Sequence, residues 1–439
     1  MSTLTETTAP PSEASLVGTP RAETGDARLV FIDALRGIAA LAVAAYHIER
    51  YGPLARPASR IIEGPLENVI RHGWMGVQVF FVISGFVIAY SLRKAWMTPG
   101  YLGNYALRRS IRLDPPYWAT IAVALALHFL APRLLNIPSP MDASPTGRQI
   151  AWHALYLQNV MGYDNLSVGL WTLCIEVQFY LLYAIMLAVA QRFCGAARWQ
   201  RGGGGAALIA CFTPLAIISL AVYRHEEAFT APALAWLAPF RSDVCVLRYF
   251  WMFFLGMLVH WTLEGRTPKW LVWTYLACMA ARYAWYETDE IQTGLTAAIR
   301  KRWTIEVVVA GAAGATIFVV GSLGRLATFG AQRWLQFLGK TSYSLYLIHY
   351  PVSHVVVHLC DQWGRRQSWH ASQLYDWYAL ACTALALLIA IGAGYLLYVF
   401  VERPSQRLAA RFRRGGGSDP KRRGAVEPIN PQTPVPSNS

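Results

Sequence analysis

Apolar residues run along this chain in blocks of about twenty, separated by short polar stretches. That pattern is neither the period-two alternation of a half-buried strand nor the single apolar stripe of a soluble helix. Ten blocks are long enough to cross about 30 Å of hydrocarbon at about 1.5 Å per residue. They cover 29–49, 74–92, 115–131, 168–190, 206–223, 244–262, 270–286, 303–321, 341–360 and 377–401. In lipid, only a helix or a closed barrel satisfies its own backbone, and a barrel would need alternating segments of about ten residues. The expected fold is therefore all-α, a polytopic membrane helix bundle of about ten transmembrane helices. The apolar stretch 149–162 is too short to cross and is expected to lie at the interface or re-enter.

Composition agrees. Of 439 residues, 55% are hydrophobic and only 15% charged, too few charges for an ordinary soluble domain. Residues 1–27 and 404–439 are rich in small and polar residues, the second also in arginine, and are expected to be disordered tails around a membrane domain at 28–403. The net charge of +14 reads as loop charge at a membrane surface, not as nucleic-acid binding. With the N-terminus inside, the inner loops and tails carry twenty-three Lys and Arg and the outer loops thirteen. Both termini are therefore expected in the cytoplasm, in the cytoplasmic (inner) membrane, although without the C-terminal tail the counts are fifteen and thirteen. Seven cysteines, six of them in apolar runs and none in a CxxC pattern, suggest neither a disulfide framework nor a metal site.

Ionisable groups inside apolar spans are costly unless paired or hydrated, so each is a functional candidate. The first span carries Asp33, Arg36 and His47. Asp33 and Arg36 are three apart and share a helix face. His47 lies almost three turns beyond Arg36, on the same face and about 16 Å along the axis. The plainer alternative is a snorkelling arginine with an interfacial histidine. In the fourth span, Thr172, Glu176 and Tyr180 are spaced by four and share a face beside Trp171; Glu176 could equally serve a structural interhelix bond. Ser84 and Gly85 in the second span suit close packing or substrate contact, since no base accompanies the serine locally. In the ninth span His349 precedes Pro351 by two residues, which predicts a locally broken helix lining a cavity. His354 and His358 have metal-ligand spacing but no nearby carboxylate. Arg108, Arg109 and Arg112 are expected on a short helix leading to Pro115 and Pro116; they suit a bound phosphate, or anchor the chain at lipid headgroups.

Five stretches in order resemble the acyltransferase-3 family of integral membrane O-acyltransferases. FIDALRGIAALAVAAYH has the family's Arg-x10-His pattern, at Arg36 and His47, and GVQVFFVISGF follows. LRRSIRLDPPYW carries its Arg-x2-Arg at Arg109 and Arg112; LWTLCIEVQFYL and LGKTSYSLYLIHYPV complete the series. Thr172 stands where the family usually has serine, Cys174 where it has a small polar residue, and Val177 where a second glutamate is frequent. The resemblance covers about 28–403 and implies a stand-alone acyltransferase with no appended SGNH-type domain.

The resemblance implies transfer of an acyl group, usually acetyl, from cytoplasmic acyl-CoA to a hydroxyl of a glycan or other acceptor. It implies His47 and Glu176 as catalytic residues and Arg36, Arg108, Arg109 and Arg112 as the acyl-CoA grip. Asp33, Ser84, Trp171, Tyr180 and His349 are expected to meet substrate. No metal is expected, and glycan and membrane lipid are the expected partners. His47 would act as a base, with Glu176 orienting it, or would carry the acyl group itself. The competing expectation is a secondary transporter in which the buried His, Glu and Arg form a proton relay.

Overall fold

Each apolar block lies on a helix, because a backbone in lipid has no other partner for its amides than its own carbonyls. The computed structural model describes residues 29–141, 144–222, 245–293, 297–370 and 372–415, and these contain no strand. The helices are α1 (Val30–Tyr51), α2 (Ala55–Ile61), α3 (Pro65–Arg71), α4 (Gly76–Leu92), α5 (Pro99–Leu130), α6 (Gly147–Ala154), α7 (Leu170–Cys194), α8 (Ala196–Gln200) and α9 (Gly205–Val222). They continue with α10 (Val246–Leu263), α11 (Trp270–Thr293), α12 (Ala297–Ser322), α13 (Arg333–Arg365), α14 (Gln373–Leu397) and α15 (Arg403–Gly415).

Among the described residues, seven helical segments are long and apolar enough to cross a membrane. Three of the ten expected spans fall on helices outside that set: 206–223 on α9, 270–286 on α11 and 341–360 on α13. For α9 the reason is length. For α13 it is polarity, and the polarity points inward: Ser342, Ser344 and His349 are wholly buried. A helix that turns its polar residues to the protein interior need not be apolar enough to pass as a span by composition.

Two expectations about proline fail. Helix α5 runs unbroken through Pro115 and Pro116, so the arginines sit on the same long helix as the third span. Helix α13 likewise continues through Pro351, where a break was expected. Helices packed in a bundle tolerate proline because only the one i−4 amide bond is lost and the flanking turns are held by their neighbours. Within the stretch expected at 149–162 only 149–154, the later part of α6, are helical. The expected C-terminal tail begins as helix α15 up to Gly415; residues 1–28 and 416–439, which hold the rest of both tails, lie outside the described residues.

Helix α10 is the hub, with almost every residue from Tyr249 to Thr262 buried. Its aromatics stack on α4 and α7, and Phe253 lies on Phe179 with ring centroids 4.0 Å apart. Helix α1 packs chiefly on α13 and also on α4. Glycines set both seams. A methyl group at Gly85 would run into the Phe253 carbonyl, and one at Gly256 into the Val82 carbonyl, so α4 and α10 meet backbone to backbone. Gly37 and Gly339 do the same for α1 and α13.

Candidate functional site

Two cavities lie end to end in the bundle. The first, about 90 Å³, is lined by Arg36 of α1, Ser84 of α4, Arg109 and Arg112 of α5, and Thr172, Glu176 and Tyr180 of α7. Tyr343 and Tyr346 of α13 and Glu402 complete it. The second, about 470 Å³, is lined by His47 and Tyr51 of α1, Gln78 of α4, Trp171 of α7, Tyr249 of α10 and Glu306 of α12, with Trp74 beside them. Val77 and Tyr346 line both, so they form the wall between them.

The arginine cavity is built from hydrogen bonds between helices. Glu176 accepts from Ser84 Oγ at 2.7 Å and from Tyr180 OH at 2.8 Å. The Arg109 guanidinium lies 4.3 Å from the centroid of the Tyr180 ring, and its Nε donates to Tyr105 OH at 3.2 Å. These contacts hold Arg109 without neutralising it. Arg112 is the most exposed of the three guanidiniums. Glu402 is buried, accepts from Ser344 Oγ at 2.5 Å and from Gln406 Nε2 at 2.8 Å, and puts a second carboxylate into the cavity. It closes a π-helical turn, Tyr398–Glu402, which shifts the register between α14 and α15.

The wall is itself hydrogen-bonded. Tyr346 OH meets Thr172 Oγ1 at 2.8 Å and the Gly169 carbonyl at 3.3 Å, and its ring packs edge-on against Phe80. In the second cavity His47 is buried, and its Nδ1 lies 2.8 Å from Nε2 of His349.

The structure thus brings Arg36, Ser84, Arg109, Arg112, Glu176 and Tyr180 into one cavity and His47 and Trp171 into the other. The expected face of Thr172, Glu176 and Tyr180 is intact. The expected pairing of Glu176 with His47 is not: both glutamate oxygens are engaged on the far side of the Tyr346 wall, and the neighbour of the histidine is another histidine. Three candidates line neither cavity. Arg108 points aside toward the Tyr101 ring, because it is one residue out of phase with Arg109 and Arg112. Asp33 lies beside Gly339 at the α1–α13 seam. His349 is fully buried behind His47, so it is not placed to meet substrate. Of the pair with metal-ligand spacing, His354 Nε2 donates to the Pro138 carbonyl and His358 Nδ1 to the His354 carbonyl.

The sequence reading missed Tyr346, Glu306 and Glu402. Tyr346 had a signal, since it lies three residues before His349 and shares its face. Glu306 and Glu402 stand near the ends of their spans, where an acidic residue looks like a loop boundary.

The acyltransferase-3 family, described as an acyltransferase domain, matches residues 29–399. The chain belongs to that family. As an acyltransferase-3 protein with seven membrane-capable helices among its described residues, it is an integral membrane acyltransferase. It is 27% identical over 401 residues to the acyltransferase MdmB of Streptomyces mycarofaciens, which covers 88% of this chain and 94% of that protein. It is 30% identical over 167 residues to the peptidoglycan O-acetyltransferase OatA of Listeria monocytogenes, covering 36% of this chain and 24% of OatA. Nodulation protein 10 of Rhizobium leguminosarum is 26% identical over 221 residues, or 46% of this chain and 54% of the relative. No solved structure matches the chain. An acyltransferase family supplies what the transporter reading lacked, a reaction for the buried groups.

Proposed function

We propose that this protein is an O-acyltransferase of the cytoplasmic membrane that moves an acyl group, acetyl in the first instance, from acyl-CoA to a hydroxyl of a carbohydrate acceptor. The observation that carries the proposal is the pair of adjoining cavities, with guanidiniums in one, His47 in the other and a wall of Val77 and Tyr346 between them. A donor that bears phosphates and an acceptor that must lose a proton need those two chemistries, and they need them to adjoin.

On this reading the thioester arm of acyl-CoA enters the arginine cavity, whose lining adds the Ser84 and Tyr180 hydroxyls to the guanidiniums. The phosphates then sit at the mouth, where Arg112 is exposed, with Arg36 and Arg109 deeper. The larger cavity offers Trp74, Trp171 and Tyr249 as flat apolar faces and Gln78 and Glu306 as polar partners, a lining that suits a sugar. The name of the listerial relative, a peptidoglycan O-acetyltransferase, points to the same acceptor class.

For reaction, Tyr346 must move aside so that the thioester carbonyl reaches the acceptor hydroxyl beside His47. The imidazole takes the hydroxyl proton as the oxygen attacks the carbonyl carbon. The tetrahedral adduct collapses with loss of the CoA sulfur, and the proton passes from His47 to that thiolate. The products are an ester and free CoA, and His47 returns to its starting state.

The test uses the purified full-length chain in nanodiscs with acetyl-CoA and oligosaccharide acceptors, following release of free thiol. His47→Ala should lower turnover by a factor of about 100 or more, the usual share of a general base, while the melting temperature holds. Full activity in that variant would remove His47 from the mechanism.

A further inference from the structure

Resting on that reading, we propose that His349 is the positioning residue of the base: it fixes the proton of neutral His47 on Nδ1 and leaves Nε2 bare to receive the acceptor's proton. The assignment follows from what each partner can do. His349 Nδ1 lies 2.8 Å from the Tyr346 carbonyl oxygen and 3.2 Å from that of Leu345. A carbonyl only accepts, so His349 Nδ1 carries a hydrogen. In a neutral ring its Nε2 is then a lone pair, and that lone pair faces His47 Nδ1 at 2.8 Å. The bond exists only if His47 Nδ1 is the donor. A neutral His47 therefore has Nε2 unprotonated, and this is the nitrogen left to act in the second cavity, whose wall His47 helps to form.

The arrangement does the work of the carboxylate in a Ser-His-Asp triad with a neutral group. When His47 takes the acceptor proton on Nε2, its Nδ1–H stays bonded to an uncharged acceptor, and the bond becomes charge-assisted. Both rings cannot be cationic at this spacing, because no lone pair would remain between them. The fixing carbonyls lie one turn back on the same helix as His349, so the tautomer is set by helix geometry alone. The two rings are tilted by only 17°, and Tyr46 and Tyr51 flank His47 with centroids 5.1 and 5.8 Å away. Glu176 cannot take this role, since Ser84 and Tyr180 hold its oxygens in the other cavity.

The decisive measurement is nitrogen-15 NMR of the full-length wild-type chain, labelled at histidine, in nanodiscs. The His47 signals are identified as those lost in His47→Ala. The expected spectrum at neutral pH shows His47 protonated on Nδ1 and bare on Nε2; the reverse tautomer would overturn the proposal whatever the activity. Kinetics give the second arm. His349→Leu removes the acceptor and should lower kcat by about 100-fold, with KM for acyl-CoA within about twofold of wild type. His349→Gln, whose side-chain oxygen can accept the same bond, should recover kcat to within about tenfold of wild type. Equal loss in both variants at unchanged melting temperature, or no loss in His349→Leu, would count against the positioning role. If His349→Leu does not fold, the wild-type spectrum still decides. Loss of activity in His47→Ala alone, with His349→Leu fully active, would sink this inference and leave the acyltransferase reading standing.

Discussion

Three guanidiniums in one small cavity repel one another unless counter-charges stand near, and Glu176 and Glu402 supply two. The cavity keeps more guanidiniums than carboxylates, a lining that attracts a phosphate. Arg112→Gln should therefore raise KM for acyl-CoA about tenfold, the loss of one charged hydrogen bond of about 1.5 kcal/mol, with kcat little changed. Steady-state kinetics with the donor varied would check this, and a change confined to the acceptor KM would contradict the phosphate role. Arg109→Gln should affect kcat as well, because Arg109 lies over Tyr180, which holds Glu176. How much of this was legible follows from where the information resides. One helix's periodicity was enough to put Thr172, Glu176 and Tyr180 on one face and Arg36 and His47 in one stripe. It could not say that Glu176 would look toward α4 and His47 toward α13, since that depends on which helices meet. The false pairing of His47 with Glu176 came from that gap.

At the scale of the element, the seams are made by what is missing from the side chains. Gly85 and Gly256 let α4 and α10 touch along their backbones, which brings Ser84 within reach of Glu176 on α7. Gly256→Val should cost about 3 kcal/mol, the upper part of the range for overpacking, and lower the melting temperature in detergent. Gly103 of α5 faces open space, so Gly103→Ala should have the opposite sign and add up to about 1 kcal/mol through helix propensity. A thermal scan of both variants separates the close approach from a general sensitivity to glycine replacement. Proline misled the sequence reading for a related reason. The rule that proline breaks a helix assumes an isolated helix in water, and inside this bundle the packing of α5 and α13 holds both helices continuous through their prolines.

For the whole molecule, the arrangement of ends matters more than the number of crossings. The stretches that point one way bring Arg36, Arg109, Arg112 and Glu402 together at one end; the other ends bring His47, Trp74 and Tyr249 together. All-α membrane architecture was plain from block length, because the thickness of hydrocarbon fixes it. The division into two chambers was not, because it depends on Tyr346, an ordinary aromatic residue in an apolar run whose hydroxyl finds Thr172 across the bundle. The same bond has a bioenergetic consequence. An enzyme that reached both faces of a membrane through standing water would drain the ion gradient its host maintains, and on the two-cavity reading the Tyr346 hydroxyl, tied to Thr172 of a neighbouring helix, is the barrier expected to interrupt that path between turnovers. Tyr346→Ala should make proteoliposomes leak protons, read as faster decay of an imposed pH difference by an entrapped dye, while wild-type vesicles hold it. Unchanged decay in that variant would mean that the dielectric barrier lies elsewhere in the bundle.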